Sequence, residues 1–107
     1  MYVVVRGDLS PAQQAVQAAH AAIAATRDFM PESLIHPSLV LLTVSDQAAL
    51  EKASSECLGR GIACSMFHED DMDGEPTAFA TRPVWKPERK VVRKALKNAK
   101  LFGGVAQ

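Results

Sequence analysis

The chain has 107 residues, 48% of them hydrophobic, 22% charged and 6% aromatic, which suits one small domain over residues 1–107 and leaves no room for a second core. No window holds about 18 consecutive apolar residues, so neither a membrane span nor a disordered polyelectrolyte is expected. Twelve basic and twelve acidic side chains cancel, but residues 1–81 hold 4 Lys/Arg against 11 Asp/Glu and residues 82–107 hold 8 against 1, which points to an anionic partner for the C-terminal segment.

The opening apolar run meets Arg6 and Asp8 before any small-residue cleavage pattern, so a secretory signal is not expected and a cytoplasmic location is. Tyr2 to Val5 reads as a buried strand ending in Arg6-Gly7-Asp8. Ser10-Pro11-Ala12-Gln13 then starts a helix over 11–27, with Ser10 as N-cap, Pro11 at N1 and Gln13 at N3 of a capping box. Its eight alanines favour helix and let another backbone approach closely, so the helix should lie against a sheet. Phe29-Met30-Pro31 ends it.

Ser38 to Val44 is a second buried strand. Ser45-Asp46-Gln47 caps a helix over 47–59, which stops at Gly59-Arg60-Gly61. Ile62 to His68 forms a strand, Asp70 to Pro76 an acidic turn, and Thr77 to Thr81 another strand, either antiparallel to the last or joined to it by a wide loop. Because strands otherwise alternate with helices, the rest of the sheet should be parallel. Lys86-Pro87-Glu88 opens a last helix running to Phe102 and stopped by Gly103-Gly104. At about 100° per residue, Val92, Leu96 and Ala99 share one stripe of it. Arg89, Lys90, Arg93, Lys94, Lys97 and Lys100 share the opposite arc. The expected fold is therefore an α/β single-domain sandwich, a mixed sheet of about four strands with helices packed on it. Cys57 and Cys64 are too few for a disulfide framework and lack zinc-ligand spacing, so they read as thiols.

His20 shares a stripe with Val16 and Ile23, flanked by Gln13, Gln17 and Ala24. The spacing leaves two readings open: a core-edge histidine satisfied by a carbonyl, or a base or proton shuttle where helix meets sheet. In the run His68 to Glu75, the seven residues from Glu69 on hold five carboxylates. A calcium loop would need a glutamate six residues after Gly74, and Ala80 stands there, so a solvated turn is the reading for most of these charges. The last helix has six cations opposed only by Glu88, which suits contact with phosphates, while no base-reading helix for DNA and no aromatic RNA platform is visible. Phosphate-binding P-loop, dinucleotide, GxSxG and HExxH motifs are absent.

Three segments together resemble a known family. Tyr2 to Leu9 (YVVVRGDL), Gln13 to Ala21 (QQAVQAAHA) and Phe67 to Thr81 (FHEDDMDGEPTAFAT) are similar to the strand, histidine helix and acidic loop with strand of the type 2 peptidyl-tRNA hydrolases, in particular short bacterial and phage-like relatives. The resemblance covers about 80 residues. It implies a mixed four-stranded sheet, a homodimer, and hydrolysis of the ester between a peptide and the 3′ ribose of tRNA. His20 matches the family's helix histidine, Arg6 and Asp8 the residues after the first strand, Thr77 the threonine opening the last strand, and Asp70 or Asp71 the active-site aspartate. The chain departs from the family at Gln13, where archaeal and eukaryotic members carry an active-site lysine.

On this resemblance, His20 would orient or deprotonate water, Asp70 or Asp71 would fix the imidazole or its water, and Gln13 with backbone N–H groups would stabilise developing charge. Thr77 completes the expected catalytic set; Arg6, Arg89, Arg93, Lys94 and Lys97 are the expected RNA contacts. An aminoacyl ester is intrinsically labile, so positioning and general-base help suffice without a metal or cofactor. The alternatives are a non-catalytic RNA- or protein-binding member of the same fold and, more weakly, a dimeric scaffold.

Overall fold

The computed structural model describes residues 1–32 and 37–102. Its strands are Tyr2–Arg6 (β1), Val40–Val44 (β2), Cys64–Glu69 (β3), Glu75–Thr81 (β4) and Lys100–Leu101 (β5), and its helices are Pro11–Phe29 (α1), Gln47–Gly59 (α2) and Arg89–Ala95 (α3). They form a mixed sheet of order β3-β4-β1-β2-β5. The valines of β1 hold the centre because a strand covered on both faces must be apolar at successive positions; Val3, Val4 and Val5 are all buried.

The pleat then divides the core in two. Val3 and Val5, with Ala78 and Ala80 of β4, face Ala18, Ala21 and Ala25 of α1. Val4, Val44 and Phe79 face Leu50, Ala53 and Cys57 of α2 and Val92 and Ala95 of α3. Alanines on α1 let its axis sit close to the sheet, as expected. The buried stripe of that helix is Gln17, Ala18, Ala21 and Ala25, whereas the expected seam of Val16, His20 and Ile23 is exposed, Val16 by 48% and Ile23 by 65%. The small residues win the sheet-facing side because bulkier ones would hold the helix off it.

Among the described strands only β1 and β2 run parallel, with Val4 opposite Leu42. β4 is antiparallel to both β1 and β3, so the expected parallel remainder is reduced to one pair. The acidic turn is a short 3-10 stretch, Asp70–Met72, closed by two left-handed residues, Asp73 and Gly74, which lets β3 fold straight back along β4. Cys57 is buried and Cys64 half-buried, both as free thiols.

The C-terminal segment departs most from expectation. A single helix from Lys86 to Phe102 is replaced by a 3-10 turn at Lys86–Glu88, seven residues of α3, a turn and β5. The Arg82 guanidinium donates to both carboxylate oxygens of Glu88 at 2.8 and 2.7 Å, fixing the entry to α3. At the other end, Leu101 pairs with Leu42 and Lys100 with Thr43. Covering the otherwise open edge of β2 outweighs two further turns of a lysine-rich helix. The expected Gly103-Gly104 stop lies outside the described residues. Among those described, no helix is long and apolar enough to cross a membrane.

Candidate active site

The carboxyl end of β1, the first turns of α1 and the start of β4 meet at one end of the sheet. Ser10 caps α1 by accepting the Gln13 N–H at 3.2 Å, and Pro11 occupies the first turn, where its missing N–H costs nothing. The capping box stays half-formed: Gln13 turns its side chain along the helix instead, its Oε1 accepting from Gln17 Nε2 at 3.1 Å. Gln14 ties the helix start to the preceding loop by donating to the Leu9 carbonyl at 2.7 Å.

Gln17 is buried although polar, so its amide needs partners. Its Oε1 accepts the Thr77 hydroxyl at 2.8 Å, across 60 positions of sequence. The relay Thr77 to Gln17 to Gln13 has a fixed polarity. Thr77 donates to the Gln17 oxygen, the Gln17 nitrogen donates to the Gln13 oxygen, and the exposed Gln13 Nε2 is left with both hydrogens directed away from the relay.

Beside it, Arg6 is only 7% exposed. Its Nε and Nη2 donate to the two Asp8 oxygens at 3.0 and 2.9 Å, and its Nη1 reaches Glu75 Oε1 at 2.9 Å and the Pro76 carbonyl at 3.2 Å. This bidentate geometry strongly favours the charged forms. The Arg6 guanidinium is raised above its ordinary range by Asp8, and hydrogen bonding from Arg6 lowers the Asp8 carboxyl. Four of the five guanidinium N–H groups are thus engaged, so Arg6 braces the start of β4 against the end of β1 and has little left for a phosphate.

His20 lies one turn further along α1, exposed, its ring stacked on Phe67 of β3 with centroids 4.5 Å apart and planes 7° from parallel. It is not sealed in the core, and among the described residues no carbonyl bonds to it. Asp70 and Asp71 stand exposed in the turn after β3, and among the described residues no hydrogen bond joins either to His20. The carboxylates drawn into the site are Asp8 and Glu75.

The expected cationic arc is divided. Arg89 and Arg93 border a hollow of about 540 Å3 with Met1, Tyr2 and Trp85 at the amino end of β1. Lys94 and Lys97 border a larger one, about 810 Å3, at the carboxyl ends of β1 and β2. The sequence reading puts Gln13 and Thr77 in the site, and names Gln17 beside His20 and Glu75 in the acidic run without giving either a role there. The signal for Gln17 was its position four residues after Gln13, within side-chain reach on one helical face.

A family model described as peptidyl-tRNA hydrolase PTH2 matches residues 1–102. The structure of a protein of unknown function from Agrobacterium tumefaciens strain C58 has the same fold, with a TM-score of 0.67 and 20% identity over 95% of this chain and 96% of that chain. No curated protein matches the sequence.

Proposed function

This chain belongs to the peptidyl-tRNA hydrolase PTH2 family, and from that premise we propose that it hydrolyses the ester between a peptide and the 3′ ribose of tRNA. The observation that carries the reading is the relay from buried Thr77 through buried Gln17 to Gln13. It presents two amide hydrogens at the first turn of α1, where a carbonyl oxygen gaining negative charge would be held. Donors fixed in advance do not have to reorganise as charge develops, and one such donor is worth about 100- to 1000-fold in rate.

The attacking water is oriented or deprotonated by His20, whose ring is held by Phe67 while its nitrogens stay open to solvent. As the water oxygen bonds to the ester carbon, its proton passes to the imidazole; collapse of the tetrahedral intermediate then breaks the bond to the 3′ oxygen, which takes that proton as it leaves. Asp70 or Asp71 acts through solvent on the imidazole or its water, since both lie at the same end of the sheet. Arg6, with Asp8 and Glu75, keeps β1 and β4 in register under the relay. Arg89, Arg93, Lys94 and Lys97 hold the RNA backbone, and a homodimer is the expected assembly.

Gln13 in place of a lysine leaves a neutral donor where a fixed charge would act more strongly, which suits a slower enzyme of the same chemistry. Incubating the purified chain with a defined N-blocked aminoacyl-tRNA tests the reading. Release of the blocked amino acid above the buffer rate, lost in Gln13→Ala, is expected. Binding of the tRNA with no release would return the chain to the non-catalytic alternative.

A further inference from the structure

The larger hollow lies where the chain leaves β1 and β2 in opposite senses. These strands are parallel neighbours, yet β1 leads into α1 on one face and β2 into α2 on the other. Diverging connections leave a crevice at the carboxyl ends of the two strands, the place where open α/β sheets bind ligands. The base of the crevice is tight. A Cβ on Gly7 would lie 2.8 Å from Thr43 Oγ1 and 2.9 Å from the Val44 carbonyl, and the Gly7 N–H already donates to that carbonyl at 2.6 Å.

The floor of the hollow is apolar, formed by Val44, Ala49, Ala53 and Leu96, and its rim is cationic. Lys52 comes from α2, Lys94 from α3, Lys97 from the following turn and Lys100 from β5. Glu56, the one carboxylate in the lining, is 3.7 Å from Arg60. The four lysines have no ion-pair partner among the described residues. Like charges brought from four elements to one opening make a positive potential there that favours an anion. Pro11 and Gln14 of the first turn of α1 also line the hollow, so it opens at the same end of the sheet as that turn.

We infer that this hollow binds one nucleotide unit of an RNA strand, the base and ribose on the apolar floor and the phosphate at the lysine rim. The inference rests on the hydrolase reading for its choice of RNA, and it adds Lys52 and Lys100 to the groups that hold the strand.

Calorimetric titration of the full chain with AMP, adenosine, inorganic phosphate and a single-stranded RNA trinucleotide ending in adenosine tests the assignment. AMP should bind at least about tenfold more tightly than adenosine or phosphate alone, and the trinucleotide more tightly still. Lys52→Gln and Lys100→Gln should each weaken AMP by about fivefold, as for a partly exposed ion pair, while Lys86→Gln, an exposed lysine that borders neither hollow, leaves it unchanged. Circular dichroism should find all three variants folded, since these side chains are exposed. Equal affinity for AMP and adenosine, equal affinity for AMP and phosphate, or lysine variants with unchanged affinity would each overturn the assignment. AMP binding with exclusion of the trinucleotide would assign the hollow to a free nucleotide and overturn it as well. Ester release is followed in parallel. Its absence with nucleotide binding intact sinks the hydrolase reading alone, and its persistence without nucleotide binding sinks this assignment alone.

Discussion

Replacing Thr77 by Val removes one hydroxyl at nearly constant volume and leaves the Gln17 Oε1 buried without a donor. Thr77 is fully buried and Gln17 almost so, so no water replaces the lost 2.8 Å bond. An orphaned buried acceptor costs about 1–3 kcal/mol, which in a domain of this size lowers the thermal midpoint by roughly 4–12 °C. The same change frees Gln17 to turn over, and the Gln13 amide loses its fixed direction, so ester release should fall by about tenfold or more. A double-mutant cycle with Gln17→Leu separates the two effects. If the hydroxyl and amide are a true pair, the double variant should be no less stable than the worse single variant, because both polar groups leave together. Calorimetric melting and single-turnover release, run on the four proteins, give the answer. Additive stability losses would refute the pairing, and a melting change without any change in release would refute its role in orienting Gln13.

His20→Ala should abolish ester release while lowering the midpoint by only a few degrees, since the exposed ring loses one stacking contact worth about 1 kcal/mol; a large stability loss with release intact would make it structural. Gln13→Lys should raise release by about tenfold, a gain near 1.4 kcal/mol, because Gln17 can turn its oxygen to the new ammonium and its nitrogen to the Thr77 oxygen; lowered release would mean the glutamine belongs to a different arrangement. The Glu88 carboxyl is held down to about 2 by the Arg82 guanidinium. A depressed acid stabilises the fold above its ordinary range and loses that contribution as pH falls through the folded value, so the gap in midpoint between the native chain and Arg82→Gln should close between about pH 4.5 and 2; a gap independent of pH would refute the pairing. Arg93→Ala with Lys97→Ala should weaken tRNA binding at every sequence alike and reduce the salt slope by about 1.4–2; unchanged affinity and slope would leave these side chains as a solvated face.

Local signals carried the elements with strong punctuation. Pro11 after Ser10 and Asp46 before Gln47 mark the starts of α1 and α2, and the valine run of β1 could only be central. What local signals could not carry was competition between partners. Leu96, Lys97, Ala99, Lys100 and Leu101 are good helix formers by propensity, yet the open edge of β2 takes Lys100 and Leu101 as a strand, and that edge is visible only once β1 and β4 have been placed. On α1 the alanines meet the sheet as their size implies, while the stripe of Val16, His20 and Ile23 stays exposed for a related reason. Periodicity identifies an apolar stripe, but close approach to a sheet selects for small side chains, so Ala18, Ala21 and Ala25 bury where Val16 and Ile23 do not.

For the candidate site, residue type singled out His20 and the resemblance singled out Gln13, but neither could show a role that depends on who answers whom. Gln17 reads as one more helix polar residue until Thr77 is seen to meet it, 60 residues away. Arg6 reads as a phosphate ligand until Asp8 and Glu75 are seen to consume its donors. The two cases share one physical rule. Buried polar groups must be satisfied, so each such residue near this site is already assigned by its partner, and the groups left free to meet a substrate are those the network leaves over: the Gln13 amide hydrogens, the His20 ring nitrogens and the lysines around the hollow. On the proposed hydrolase reading, chemistry at this end of the sheet falls to exposed groups whose direction is set by buried ones, which is why the variant that removes a hydroxyl no substrate can touch should slow the reaction.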